Sequence, residues 1–232
     1  MAKKAAKIVE EQIKAWSYQS SRNISSQKQK TKFPVITISR EFGARGAALA
    51  ELLGQRMDFK IWDKELLKAI AEELGSDQKL LETLDERRQQ AVEDAVAGFM
   101  DDIYTNVNYL RSLIRVVKTI EEHGRSFIVG RGANYICQNP KSFHVRVVCP
   151  FKTRVTEYAK RENLKEKEAH EIIKQKDKER AEFIKQNFYR DVTNQSDYDL
   201  ILNSKTFTLE QIADMVLDAY EKKIGQKITL PE

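Results

Sequence analysis

Between residues 34 and 57 the chain passes from a short β-branched segment, PVITIS, through glycines at 43 and 46, into the helical pattern AALAELLGQRM. Strand, glycine loop and helix in that order form the first half of a βαβ unit, and such units stack only as a parallel sheet covered by helices. Four more short β-rich runs follow, at 59–63 (FKIWD), 127–129 (FIV), 144–149 (HVRVVC) and 200–202 (LIL). Helical patterns separate them. The longest lies between Lys64 and Gly124, with breaks expected near Gly75-Ser76 and Gly98 and with Ser76 as a helix cap. A helix over 104–122 is predicted to turn Leu110, Leu113, Ile114 and Val117 inward, and Thr208 is predicted to cap a last helix that runs to about Lys223. The expected fold is α/β: three layers, α/β/α, with a parallel central sheet between helices.

In sheets of this kind ligands sit at the carboxyl ends of the strands. This chain gathers its Gly, Arg and Asp residues at those ends: Ser39 to Gly46, Asp63, Gly130 to Asn134, and Asn203. The first cluster reads Ser39-Arg40-Glu41-Phe42-Gly43-Ala44-Arg45-Gly46-Ala47-Ala48. A glycine loop before a helix can turn backbone N–H groups toward a phosphate, with the helix dipole assisting. The full phosphate-binding motif adds a lysine for the β- and γ-phosphates and a hydroxyl for Mg²⁺. Here Gly46 falls where the lysine would stand and Ala48 where the hydroxyl would; a plain tight turn is the competing reading. Arg40 and Arg45 offer replacement charge, since arginine pairs well with phosphate. Arg131, set between two glycines, points to anion binding, whereas Asp63 suits a helix cap and a ligand role equally.

Residues 152–190 carry twelve basic and eight acidic side chains among 39. A run like this is either a solvated helix face or a mobile lid that closes over phosphates, with Arg154, Arg161, Lys178 and Arg180 as the candidates. Of the net charge of +5, residues 1–34 supply +6 from eight basic and two acidic residues, so the rest of the chain is nearly neutral. That distribution argues against a nucleic-acid reader, which spreads positive charge over a folded face. The arm at 2–18 reads as an amphipathic helix whose Ile8, Ile13 and Trp16 need cover. A homo-oligomer contact is the favoured expectation, ahead of RNA or acidic lipid. A polar linker is expected at 20–32.

At 232 residues and 41% hydrophobic content, one domain with subdomains is expected. No apolar run approaches the roughly 18 residues of a membrane span, and the basic N-terminus lacks the apolar core of a signal peptide, so a cytoplasmic protein is expected. Cys137 and Cys149 are expected to be buried, reduced thiols, and three scattered histidines form no metal cluster.

Taken together, ITISREFGARGAALAELL at 36–53, FKIWDKELL at 59–67 and EEHGRSFIVGRGANYI at 121–136 resemble the cytidylate-kinase-like family of nucleoside monophosphate kinases. VVCPFKTRVTEYAKREN at 147–163, KDKERAEFIKQNF at 176–188 and YDLILNS at 198–204 extend the resemblance over nearly the whole chain. It implies a basic helix and linker at 1–33 before a kinase-like domain at 34–232 of the three-layer α/β/α, P-loop-like class, with a helical acceptor-side insertion over 68–122 and a helical lid over 152–195. The implied reaction is ATP + CMP (or dCMP) giving ADP + CDP (or dCDP), with Mg²⁺. By the same resemblance Ser39 to Ala48 wrap the ATP phosphates, Asn203 and Lys205 lie on the adenine side, and Asp63, Arg131, Gly132 and Asn134 face the acceptor. Arg45, Arg154, Lys178 and Arg180 neutralise the transferring group, and Ser39 or Asp63 could replace the missing Mg²⁺ hydroxyl. Related sequences commonly read S-R-E-[FP]-G-S-G-G-R where this chain reads SREFGARGAALA, and cytidylate kinases carry an acid where it has Gly132. Two readings therefore stand side by side: a phosphotransferase, or a nucleotide-binding relative that acts as a sensor or interaction protein.

Overall fold

The computed structural model describes residues 33–72, 75–100 and 107–228, together with residues 7, 10, 11 and 13–16. Five strands, β1 (Ile36–Arg40), β2 (Lys60–Trp62), β3 (Ser126–Val129), β4 (Phe143–Val148) and β5 (Leu200–Asn203), form one sheet in the order β2-β3-β1-β4-β5. Every pairing is parallel. β1 is central because its alternating side chains are apolar on one side and small or polar on the other, a pattern that can be buried on both faces. Ile36 and Ile38 pack with Phe127, Val145, Val147, Leu49 and Leu53 on one side of the sheet. Val35, Trp62 and Ile128 pack with Leu67, Leu113, Ile114 and Val117 on the other.

Helix α1 (Gly46–Met57) follows the first loop and packs with α9 (Leu209–Ile224) over the first of these cores. Thr208 caps α9 as expected: its side chain accepts from the Gln211 N–H while the Gln211 side chain accepts from the Thr208 N–H. Between β2 and β3 lie α2 (Lys64–Glu72), α3 (Ser76–Leu81), α4 (Glu86–Met100) and α5 (Val107–His123), which span the stretch 68–122 where an insertion is expected. The four apolar positions anticipated in α5 have no solvent exposure. Two details differ from expectation. Gly75, at a φ of 76°, is the residue that precedes α3, and Ser76 is its first helical residue and is buried. Gly98 lies inside α4 and breaks nothing, because a single glycine in a helix costs only about 1 kcal/mol and tertiary packing covers that. A short helix α6 (Ala133–Ile136) follows β3, and α7 (Phe151–Glu162) and α8 (Glu166–Phe188) occupy the segment for which a lid is expected.

Both cysteines are free and buried. No helix among the described residues is long and apolar enough to cross a membrane. The linker over 20–32 lies outside the described residues. In the arm, Trp16 is buried within the chain itself, stacked 3.8 Å from His123 and 5.3 Å from Trp62, and Ile13 packs against the same core. Those two residues thus find their cover without a second subunit; Ile8 lies outside the described residues. Trp16→Ala is expected to lower stability by about 3 kcal/mol. Urea unfolding at two protein concentrations should show the same loss at both.

On the second face of β1, Thr37 Oγ1 lies 2.8 Å from His144 Nδ1. Burial holds this imidazole below its ordinary value of 6.5, opposed by Asp199 and Glu121 and reinforced by Lys223. The folded state therefore favours the neutral ring, so the unfolded chain binds the extra proton and stability falls as the pH drops below 6.5. His144→Asn should flatten that part of the Tm-against-pH curve relative to the native chain.

Candidate functional site

The site forms where β1, β2 and β3 end. β1 hands the chain to the loop 41–45, whose exit residue Arg45 takes a left-handed φ of 64° and starts α1 with no side-chain cap and no acid in the first turn. Such a helix start leaves its N–H groups unpartnered and its dipole unopposed, as an anion site requires. β3 ends in Gly130-Arg131-Gly132, with φ values of 84°, 53° and 70°. A left-handed arginine costs roughly 1–2 kcal/mol, and strain of this kind gathers where function needs it.

Three arginines converge here. The Arg40 side chain runs from β1 to the Gly130 backbone, and Arg131 and Arg180 are the positive charges that act on it. Burial lowers the Arg40 pKa to about 10, with Arg180 and Arg131 adding to the effect and Glu65 and Asp63 opposing it. Arg180 comes from α8; its Nη1 donates to the Arg40 carbonyl at 2.9 Å, and its guanidinium lies 5.2 Å from the Phe42 ring centroid. Burial also lowers the Arg180 pKa. Arg131 rests 4.8 Å from the Phe183 ring centroid, and its buried Nε has no acceptor among the described residues. Three cations held this close, largely without carboxylate partners, suit a multiply charged anion chemically.

The other anticipated residues separate into those that join this cluster and those that do not. Asp63 caps α2, its Oδ1 accepting from the Leu66 N–H at 2.8 Å, and its charge still reaches Arg40. Gly132 and Asn134 lie directly behind Arg131, at the start of α6. Arg45 is exposed at the loop's exit. Asn203 accepts from the Lys205 N–H at 3.0 Å beyond β5, two strands from β1. Lys178 points away on the exposed face of α8, 3.7 Å from Glu182. Arg154 is only 4% exposed and is committed to the protein. Its Nε donates to the Cys149 carbonyl at 2.8 Å, and its Nη1 donates to the Phe42 carbonyl at 2.9 Å and to Asp177. As placed it clamps the loop to the lid.

Ser39 and Asp63 are not brought together for a divalent ion. The Ser39 hydroxyl turns toward β4, where it accepts from Arg146 Nη1 at 2.9 Å and lies 3.4 Å from the Tyr198 hydroxyl. β3 stands between the strands that carry the two residues, a separation of about 10 Å at ordinary strand spacing. A hydroxyl already receiving a guanidinium is also a poor place for a second cation.

Several residues of the site were not foreseen. Lys64 borders the cluster, its pKa lowered by burial and then by Arg131. Tyr109 of α5 brings a buried hydroxyl without a partner among the described residues, and burial raises its pKa. Asp177 of α8 places Oδ1 2.8 Å from the Phe42 N–H, so a lid carboxylate accepts from the loop backbone. Their helical spacing is that of any solvated face, and only the packing of α5 and α8 on the strand ends distinguishes them.

A parallel sheet of this order, with a glycine-bearing loop leaving its central strand and arginines above it, defines a kinase-like α/β fold of the P-loop type. The model for the cytidylate kinase-like family matches residues 35–206, and the chain belongs to that family. Among solved structures it is similar to an uncharacterized protein from Eubacterium ventriosum ATCC 27560, at 22% identity and a TM-score of 0.66, over 82% of this chain and 99% of that one. A shikimate kinase from Acinetobacter baumannii, in complex with shikimate, matches at 11% identity and a TM-score of 0.42, over 85% and 96%. A sugar kinase from Janibacter sp. HTCC2649 matches at 12% and 0.41, over 82% and 95%. No curated protein matches the sequence.

Proposed function

We propose that the protein is a phosphotransferase that moves the terminal phosphoryl group of ATP to a nucleoside monophosphate, with CMP or dCMP first among the acceptors. The convergence of Arg40, Arg131 and Arg180 at the ends of β1 and β3 carries this reading. An oxygen of the acceptor phosphate forms a bond to the γ-phosphorus, the bond from that phosphorus to its bridging oxygen breaks, and ADP leaves with the electron pair. Such transfer needs positioning and charge neutralisation rather than covalent help from the protein. In this reading residues 39–48 meet the ATP phosphates, Asn203 and Lys205 lie on the adenine side, and Asp63, Arg131, Gly132 and Asn134 face the acceptor. The insertion over 68–122 closes on the acceptor and the segment 152–195 is the lid, Arg154 holding it to the loop. Magnesium arrives with ATP.

One observation favours the second reading, a nucleotide binder with little turnover: the Asp177 carboxylate engages a loop N–H that a phosphate would use. ADP release and thermal shift, measured on one preparation with ATP and each of CMP, dCMP, UMP, AMP and GMP, separate the two. ADP that depends on one monophosphate and disappears with EDTA is the expected result and names the acceptor. Stabilisation by ATP without ADP release would replace the transferase with the binder.

A further inference from the structure

Gly46 stands where the phosphate-binding motif carries its lysine, yet the room beside it is filled. A Cβ built at Gly46 would meet Arg40 Cβ at 2.7 Å and Arg40 Cγ at 3.0 Å. Those atoms belong to the root of the arginine, next to the backbone of β1, and cannot swing aside as a side-chain tip could. The far end of the same side chain reaches Gly130, where a Cβ would lie 2.0 Å from Nη1. Arg40 thus starts from the strand, fills the space that a side chain at 46 would occupy, and lays its guanidinium on β3. Two glycines clear its path, one at each end.

Arg40 is half-buried, and no hydrogen bond or ion pair joins its guanidinium to the described residues, while Arg180 and Arg131 add like charge. Withdrawing a charge from water without a partner is costly, and the arrangement is relieved only by an anion. We infer that Arg40 replaces the phosphate-loop lysine: it binds the phosphoryl group of ATP together with Arg180, beside the acceptor-side Arg131, and the cation has moved from the helix start to the strand end. This rests on the phosphotransferase reading for its role in turnover, but not for its role in binding.

Equilibrium titration of the full chain with ATP and with AMP tests it, beside ADP release with the acceptor. Arg40→Ala is expected to weaken ATP by about 10²-fold, to leave AMP within about threefold, and to lower kcat by about 10²–10³-fold. Arg40→Gly/Gly46→Lys should recover ATP binding to within about tenfold of the native chain, because the vacated space admits the lysine. In a double-mutant cycle on Tm, Gly46→Ala should be destabilising beside Arg40 and close to neutral beside Arg40→Gly. ATP binding unchanged in Arg40→Ala would overturn the inference, and so would a folded double variant that recovers nothing or a native chain that does not bind ATP. A native chain that binds ATP without releasing ADP removes the transferase reading and leaves the binding measurements to decide Arg40. ADP release that Arg40→Ala leaves intact removes the Arg40 inference alone.

Discussion

Arg154→Ala is expected to lower the unfolding free energy by about 3–5 kcal/mol, the cost of removing one partner from a buried ionic network. Three segments lose their common tie in that variant: the end of β4 through the Cys149 carbonyl, the loop through the Phe42 carbonyl, and α8 through Asp177. Glu41 sits 3.6 Å from the same guanidinium, and its Oε2 accepts from the Cys149 N–H, so its carboxylate would lose its counter-charge too. At this chain length the loss corresponds to a fall in Tm of about 10 °C. Asp177→Asn keeps an acceptor for the Phe42 N–H and should cost less. Calorimetry on both variants checks the order, and a loss below about 1 kcal/mol in Arg154→Ala would mean that the clamp contributes nothing.

Arg131→Ala should do the opposite. Its guanidinium rests on one aromatic ring and its Nε has no partner among the described residues, so its removal takes little from the fold. Stability is expected to stay within about 1 kcal/mol of the native chain. Turnover with the preferred monophosphate should fall by about 10²–10³ in kcat/KM, the usual cost of one preorganised charge contact. Two arginines within reach of one loop are thus separated by two readouts, one stabilising the protein and the other serving its ligand. Equal activity in Arg131→Ala and the native chain would remove Arg131 from the acceptor side.

The sheet was legible because buried parallel strands are short, β-branched and bounded by turn residues; all five expected runs became strands within a residue or two. The residues at their ends were legible for the same reason, since topology alone places them together. The lid was not. Arg154, Lys178 and Arg180 share one charge run, and composition treats them alike. The structure buries the first, exposes the second and brings the third onto Arg40, because α7 and α8 meet the loop on one face only. Trp16 misled for a related reason: an unpaired aromatic in an amphipathic arm asks for cover, but its partners Trp62 and His123 are distant in sequence. Asp177 gave no signal at all, since its value lies in reaching a backbone N–H 135 residues away.

The central position of β1 also governs when the molecule matures. Ile36 pairs with Phe127 on one side and Phe143 on the other, so the first strand made has no sheet partner until most of the chain has followed. During synthesis, at about 5–20 residues per second, that leaves an apolar ribbon waiting for many seconds, a period in which chaperones and aggregation compete for it. The loop at its end takes shape only when β3 and β4 arrive, and the arginine cluster beside it is accordingly among the last features that a newly made chain acquires.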